Sequence, residues 1–217
     1  LKQINPDILL LAENWQDAYP WLRGDEDDGI MNYSITKACL DYLVYDVFDA
    51  QAMADRLSHI LMRNTDQANN MMLNLLDSHD TERFLTLAKK NGKDERSLLC
   101  SLAIMFFLPG MPCIYYGTEI GMEGGYDPDC RRTFDWNRKN WNMRVYATVI
   151  NLIRLRKCIK GDVTYSAENG ILLIGRGDLI LAVNNGTEKR RTKILHKEYE
   201  IGPFEFIIIN IIEGEVL

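Results

Sequence analysis

Clustered positive charge is scarce in this sequence. The 217 residues carry a formal charge of −6. Nucleic-acid affinity rests mostly on grouped Lys and Arg that displace counterions from phosphates, so a nucleic-acid partner is not expected. The one basic run, Lys189, Arg190, Arg191 and Lys193, is short and reads as a solvated strand edge. Long apolar runs are missing too. None approaches the ~18 residues of a membrane span, so no membrane partner is expected. The longest, at 206–212, is broken by Asn210 and reads as a strand. Cysteine is sparse and odd in number: Cys39, Cys100, Cys113, Cys130 and Cys158, with no Cys-x-x-Cys pair. Neither a disulfide framework nor a metal site is indicated. Reduced, mostly buried thiols fit best, which points to the cytoplasm. The chain opens on Leu1 rather than Met and enters an apolar run almost at once, as an internal fragment would. The lack of a leader therefore says little about the parent protein.

What is present is a series of short apolar runs, each ending in polar chemistry. Ile8-Leu9-Leu10-Leu11-Ala12 stops at Glu13. Met71-Met72-Leu73-Asn74-Leu75-Leu76 stops at Asp77-Ser78-His79-Asp80. Pro112-Cys113-Ile114-Tyr115-Tyr116 stops at Gly117-Thr118-Glu119, and Gly29-Ile30-Met31-Asn32-Tyr33 is a fourth, weaker run. Runs without alternation suit strands buried on both faces of a parallel sheet. Helical patterns lie between and after them. Met53, Leu57, Ile60 and Leu61 share a face behind a capping Asp49; Leu98, Leu99, Leu102, Ala103 and Phe106 do so behind Asp94; Met143, Tyr146, Ala147, Ile150 and Ile153 form a third set before Gly161. Strands alternating with such helices read as βα units. After Gly161 the helical period stops. Strand-like runs at 171–174, 179–183 and 204–212 are punctuated by Gly170, Gly175, Gly177 and Asn184-Asn185-Gly186, which reads as an antiparallel β module. A boundary near residue 160 is expected, with domains at 1–160 and 161–217.

Loops that follow the strands of a parallel α/β barrel gather at one face. On such a fold Glu13 and Asp80, distant in the chain, would meet at one rim. Two carboxyl groups about a sugar bond are the basic kit for glycoside hydrolysis, and a neighbouring charge with partial burial can keep one of them protonated. Singly, each residue has a plainer reading. Glu13 could be a solvated loop charge, His79 and Asp80 a pair fixing a turn, and Trp15 and Trp21 lids over a core.

The order of motifs resembles something specific. Leu10-Leu11-Ala12-Glu13-Asn14-Trp15-Gln16-Asp17-Ala18 resembles the strand-5 motif of the α-amylase family, and Glu-x-Trp followed by Asp-Ala is similar to its neopullulanase, cyclomaltodextrinase and maltogenic amylase branch. Ile30-Met31-Asn32-Tyr33 resembles the end of strand 6, and 75–83 resembles the strand-7 motif. Residues 110–122 followed by Asp127-Pro128-Asp129-Cys130-Arg131-Arg132 resemble strand 8 and its loop. The resemblance covers roughly residues 5–160. Beyond that, only length, position and pattern are similar to the family's C-terminal β domain. Ala12 stands where Gly is common and Thr118 where Asp is common; neither change removes a catalytic group.

The resemblance implies an α/β fold, the second half (strands 5–8) of a (β/α)8 barrel, followed by a small antiparallel β-sandwich. It implies Glu13 as general acid/base and Asp80 as the carboxylate that binds sugar hydroxyls and stabilises the transition state. His79 would hydrogen-bond the same sugar, and Trp15 would stack on the sugar beyond the cleaved bond. Asp127 and Arg131 would bind sugar on the non-reducing side, a structural salt bridge being the other reading. No cofactor or metal is implied. The partner would be an α-glucan oligosaccharide, the bond α-1,4-glucosidic and the outcome retention. The family's Gly-x-Arg-x-Asp motif, which supplies the nucleophile, precedes the acid and does not occur within 1–217; this stretch alone is expected to be inactive. Half a barrel also leaves strand edges open, so association between copies is expected. The alternatives are a non-catalytic carbohydrate-binding or interaction module, or a transglycosylase or α-1,6-acting relative.

Overall fold

The computed structural model describes residues 1–16 and 18–217. Asp17, half of the Asp17-Ala18 pair quoted above, lies outside the described residues. Four short strands carry the first part of the chain: β1 (Leu11–Ala12), β2 (Gly29–Ile30), β3 (Leu73–Leu75) and β4 (Met111–Cys113). β1 pairs parallel with β2 and β3 with β4, and a parallel bridge between Met31 and Leu73 joins the two pairs. The strands therefore lie side by side in chain order, all pointing one way. Between β2 and β3 run α1 (Tyr33–Leu43), α2 (Ala50–Met62) and α3 (Asp66–Met71). Between β3 and β4 run α4 (Phe84–Lys90) and α5 (Glu95–Phe107), and α6 (Met143–Arg156) follows β4.

Close backbone approach demands glycine at two places. A Cβ on Gly29 would lie 2.1 Å from the Met71 carbonyl oxygen; one on Gly110, whose φ is +97°, would lie 2.6 Å from that of Met72. Polar ties cross the same strands. Asn32 Nδ2 donates to Asn74 Oδ1 at 2.9 Å, and Asn74 Nδ2 donates to the Pro109 carbonyl at 2.6 Å.

The runs expected to be buried on both faces are so at Leu75 and Leu76 of the run at 71–76. The first departs from this: Leu9 and Leu11 are 42% and 40% exposed, because among the described residues β1 has a strand partner on one side only. The weaker run at 29–33 is shorter than its pattern implied, since Tyr33 already opens α1. Met71, likewise, closes α3 rather than opening β3.

Asp49 and Asp94 cap α2 and α5 as their positions indicated, accepting from the amides of Ala52 and Arg96. In α5, 11 of 13 residues are buried, the mark of a helix surrounded on every side. Its terminal carbonyls face inward and need donors. Arg156 supplies them to Phe106 and Leu108 at 2.7 and 2.8 Å, and Arg176 to Phe107 and Leu108 at 3.0 and 2.8 Å. Helix α6 corrects the third helical set. It buries Val145, Val149 and Leu152, while Met143 and Ile153 are exposed. Both stripes have helical spacing, and packing against α5 decides between them.

The last part forms β5 (Val163–Glu168), β6 (Ile171–Arg176), β7 (Leu179–Asn184), β8 (Arg190–Ile194), β9 (Lys197–Ile201), β10 (Glu205–Asn210) and β11 (Glu215–Val216). Five make an antiparallel sheet in the order β11-β10-β7-β6-β5, and β8 and β9 make a separate hairpin. The strands alternate between two cores. Leu172, Ile174, Leu181, Val183 and Ile208 join the helices in the main core, while Ile171, Ala182 and Ile209 meet Ile194, Tyr199 and Ile201 of the hairpin. Asn169 and Gly170 both take positive φ at the β5–β6 turn, as a two-residue hairpin requires. Gly175 sits inside β6 instead of in a turn, facing Thr164 across the pair. The basic run lies along and beside β8, where Lys189 and Arg191 both reach Glu200. No helix among the described residues is long and apolar enough to cross a membrane.

Candidate active site

Parallel strands in chain order deliver their following loops to one rim. Glu13 comes directly after β1, Tyr33 follows β2 and its bridge, and Asp77 to Asp80 follow β3. The Tyr33 hydroxyl donates to Glu13 Oε1 at 3.1 Å. Burial, chiefly, pushes the Tyr33 phenol up to about 12, so it keeps its proton and remains a donor. The Trp15 ring lies flat on the Tyr33 ring, with centroids 3.8 Å apart and planes 10° apart. Trp15 is still 52% exposed, which leaves aromatic surface open to a ligand. The same two rings wall a cavity of about 250 Å³ whose lining also includes Lys37, Arg56 and His59.

The loop after β3 is folded on itself. The Ser78 amide donates to Thr81 Oγ1 at 3.1 Å and the Asp80 amide to Ser78 Oγ at 3.2 Å. This turn sets His79 Nε2 at 3.2 Å from Asp80 Oδ2 and 3.9 Å from Glu13 Oε1. One ligating atom from each of Glu13, His79 and Asp80 falls within 4.8 Å of the others. The two carboxyl groups singled out in the sequence thus meet, with an imidazole between them. A cation would fit three such donors, but Arg131 already sets a positive charge on Asp80. Its Nη2 lies 2.9 Å from Asp80 Oδ1. Its Nε lies 2.7 Å from Asp127 Oδ1 and donates to the His79 carbonyl at 2.9 Å. The Asp127–Arg131 salt bridge, the structural reading of that pair, therefore exists, and it is also tied to the rim through Asp80 and His79.

Three residues that carry the geometry were missed as site residues. Tyr33 sat inside an apolar run. Asp77 is wholly buried; its carboxylate accepts from the Phe84 amide and the Thr118 hydroxyl, and burial pushes its pKa up. Arg83, fully buried, donates through Nε to the Cys130 carbonyl at 3.0 Å and through Nη1 to the Tyr116 carbonyl at 2.7 Å. Its guanidinium carbon lies 4.2 and 5.0 Å from the ring centroids of Tyr115 and Tyr116. A signal existed: both charges flank the polar run between β3 and α4, where apolar neighbours leave little room for a solvated side chain.

Two carboxyl groups placed this way can divide proton transfer and charge stabilisation between them. Comparison with known proteins shows the family. The model for the catalytic domain of alpha-amylase matches residues 1–160. The chain belongs to the α-amylase family. A cyclomaltodextrinase of Geobacillus thermopakistaniensis (strain MAS1) is 40% identical over 192 residues, 87% of this chain and 32% of that protein. An intracellular maltogenic amylase of Bacillus subtilis is 45% identical over 152 residues, 70% of this chain and 25% of that protein. Among solved structures, the cyclic alpha-maltosyl-(1→6)-maltose hydrolase of Arthrobacter globiformis in complex with maltose superposes with a TM-score of 0.89 at 30% identity, over 96% of this chain and 51% of that one. The chain thus spans a third or less of the length of these two curated relatives.

Proposed function

We propose that the protein to which this chain belongs is a retaining hydrolase of α-1,4-glucosidic bonds in malto-oligosaccharides, cyclodextrins or pullulan. The observation that carries the reading is the meeting of Glu13, His79 and Asp80 within 4.8 Å in a chain of this family. Glu13 protonates the departing glycosidic oxygen and later takes a proton from the attacking water. Asp80 and His79 bind the hydroxyls of the sugar at the cleaved bond. Trp15, braced by Tyr33, stacks on the sugar beyond it. Asp127 and Arg131 contact the glucan on the non-reducing side. No cofactor takes part.

In this reading residues 1–160 are strands 5–8 of a (β/α)8 barrel and 161–217 a C-terminal β-sandwich. The end of the family match at residue 160 and the change from helical to strand pattern there support that division. The nucleophile comes from another part of the protein, ~5 Å from the acid as retention requires, so the 217-residue chain alone has no turnover. Its open strands, with Leu11 exposed on β1 and Leu9 exposed just before it, favour association between copies of the isolated chain. The cytoplasm suits the reduced thiols and the "intracellular" in the name of the Bacillus subtilis relative.

The test is sugar release from maltotriose and β-cyclodextrin by the longer protein and its Glu13→Gln variant. A fall of about 10²- to 10⁴-fold is expected from the loss of a general acid. Turnover undiminished by the substitution, or release by the 217-residue chain alone, would each count against the corresponding half of the reading.

A further inference from the structure

Arg131 is the cation of the rim, yet it stands on a short 3-10 turn, Asp129–Arg131, with little packing of its own. What holds it is the backbone on either side. The carbonyl before it, of Cys130, accepts from Arg83 Nε at 3.0 Å. The carbonyl after it, of Arg132, accepts from the Tyr116 hydroxyl at 2.8 Å. The two donors are themselves joined, since Arg83 Nη1 donates to the Tyr116 carbonyl at 2.7 Å and the guanidinium lies over the Tyr116 ring. Arg83 is fully buried, and its Nη2 has no hydrogen-bond partner among the described residues. A buried guanidinium left partly unsatisfied costs stability, and that cost is consistent with a positional use. Asp77 steadies the other flank through Phe84 and Thr118.

We infer that Arg83 and Tyr116 form a clamp whose task is to position Arg131, bracketing it by its two flanking carbonyls so that it spans Asp127 and Asp80. The inference rests on the reading that Asp80, Asp127 and Arg131 bind the glucan. Arg83 and Tyr116 are positioning residues: they act through Arg131, and the clamp thereby sets how firmly the non-reducing side of the chain is gripped. It also couples two loops, because Arg131 Nε and the Cys130 thiol both donate to the His79 carbonyl, at 2.9 and 3.1 Å.

The test reads the Arg131 Nε–H directly, without sugar. In ¹H–¹⁵N spectra of the 217-residue chain that signal, assigned with Arg131→Lys, exchanges slowly with solvent. Tyr116→Phe removes one half-exposed hydroxyl and leaves the fold intact; it speeds the exchange by about five- to tenfold, the factor for one hydrogen bond of ordinary net strength. Arg83→Lys, which keeps the charge but loses the fork that serves two carbonyls, speeds it at least as much. An Arg131 Nε–H unprotected in the unaltered chain, or exchanging at an unaltered rate in Tyr116→Phe, overturns the clamp. The sugar reading is tested apart from it, by the maltotriose KM of the longer protein carrying Arg131→Ala. An unchanged KM there sinks the binding role of Arg131 and leaves the exchange result standing.

Discussion

The Tyr33 hydroxyl donates to Glu13 Oε1 at 3.1 Å, while the ring of the same tyrosine carries Trp15 on its face. One side chain therefore orients a carboxyl group and supports an aromatic platform. The two roles separate by substitution. In the longer protein, Tyr33→Phe keeps the ring and loses only the donor; kcat for maltotriose should fall about tenfold, the worth of one hydrogen bond to a carboxylate, with KM little changed. Tyr33→Ala should in addition raise KM, because Trp15 loses its support. A Tyr33→Phe enzyme with undiminished kcat would show that the hydroxyl does not serve Glu13.

Asn74 ties three neighbouring parts of the parallel strands. It accepts from Asn32 and donates to the Pro109 carbonyl from a nearly inaccessible position. Asn74→Leu would leave the buried Asn32 amide and the half-buried Pro109 carbonyl without this partner, at about 1–3 kcal/mol for the former and less for the latter. Urea unfolding should show a loss of at least ~2 kcal/mol. A loss below ~0.5 kcal/mol would mean that water replaces the side chain there.

Asp94 caps α5 and is paired with Arg96, and the Arg96 contact holds its carboxyl below the ordinary value of 3.8. A carboxyl group lowered in the folded state adds stability above its unfolded pKa and loses it as the pH falls toward the folded one. Asp94→Ala should therefore cost about 1 kcal/mol at pH 7, and the gap from the unaltered chain should narrow as the pH drops below ~4. A gap that is constant from pH 7 to pH 3 would assign the effect to helix propensity and not to the charged cap.

Glu13, His79 and Asp80 were legible in the sequence because each ends an apolar run, and a parallel fold sends all such ends to one rim. The caps Asp49 and Asp94 were legible because capping is local. What escaped depends on contacts between distant segments. Tyr33 looked like the last residue of a strand, since nothing in its own neighbourhood shows that it faces Glu13. Helix α6 offers two apolar stripes, and only the position of α5 selects Val145, Val149 and Leu152. Arg83 was hidden by its charge, which ordinarily marks a surface; its burial follows from two carbonyls and two rings that come from beyond residue 114.

The cysteines offer a check on the packing as a whole. Cys39 and Cys100 are fully buried, and burial pushes both thiols up, that of Cys39 to about 12. Reaction with a thiol reagent needs the thiolate and access to it, so neither should react while the chain is folded. Cys158 is exposed and should be modified first. Cys113, half-buried at the open edge strand β4 and also raised by burial, should follow slowly and be shielded if copies pair along that edge. Timed alkylation with peptide mapping, with and without denaturant, reads the order. Modification of Cys39 or Cys100 at the rate of Cys158 without denaturant would mean that the core joining α1 and α5 to the β-sheet opens far more readily than its packing implies.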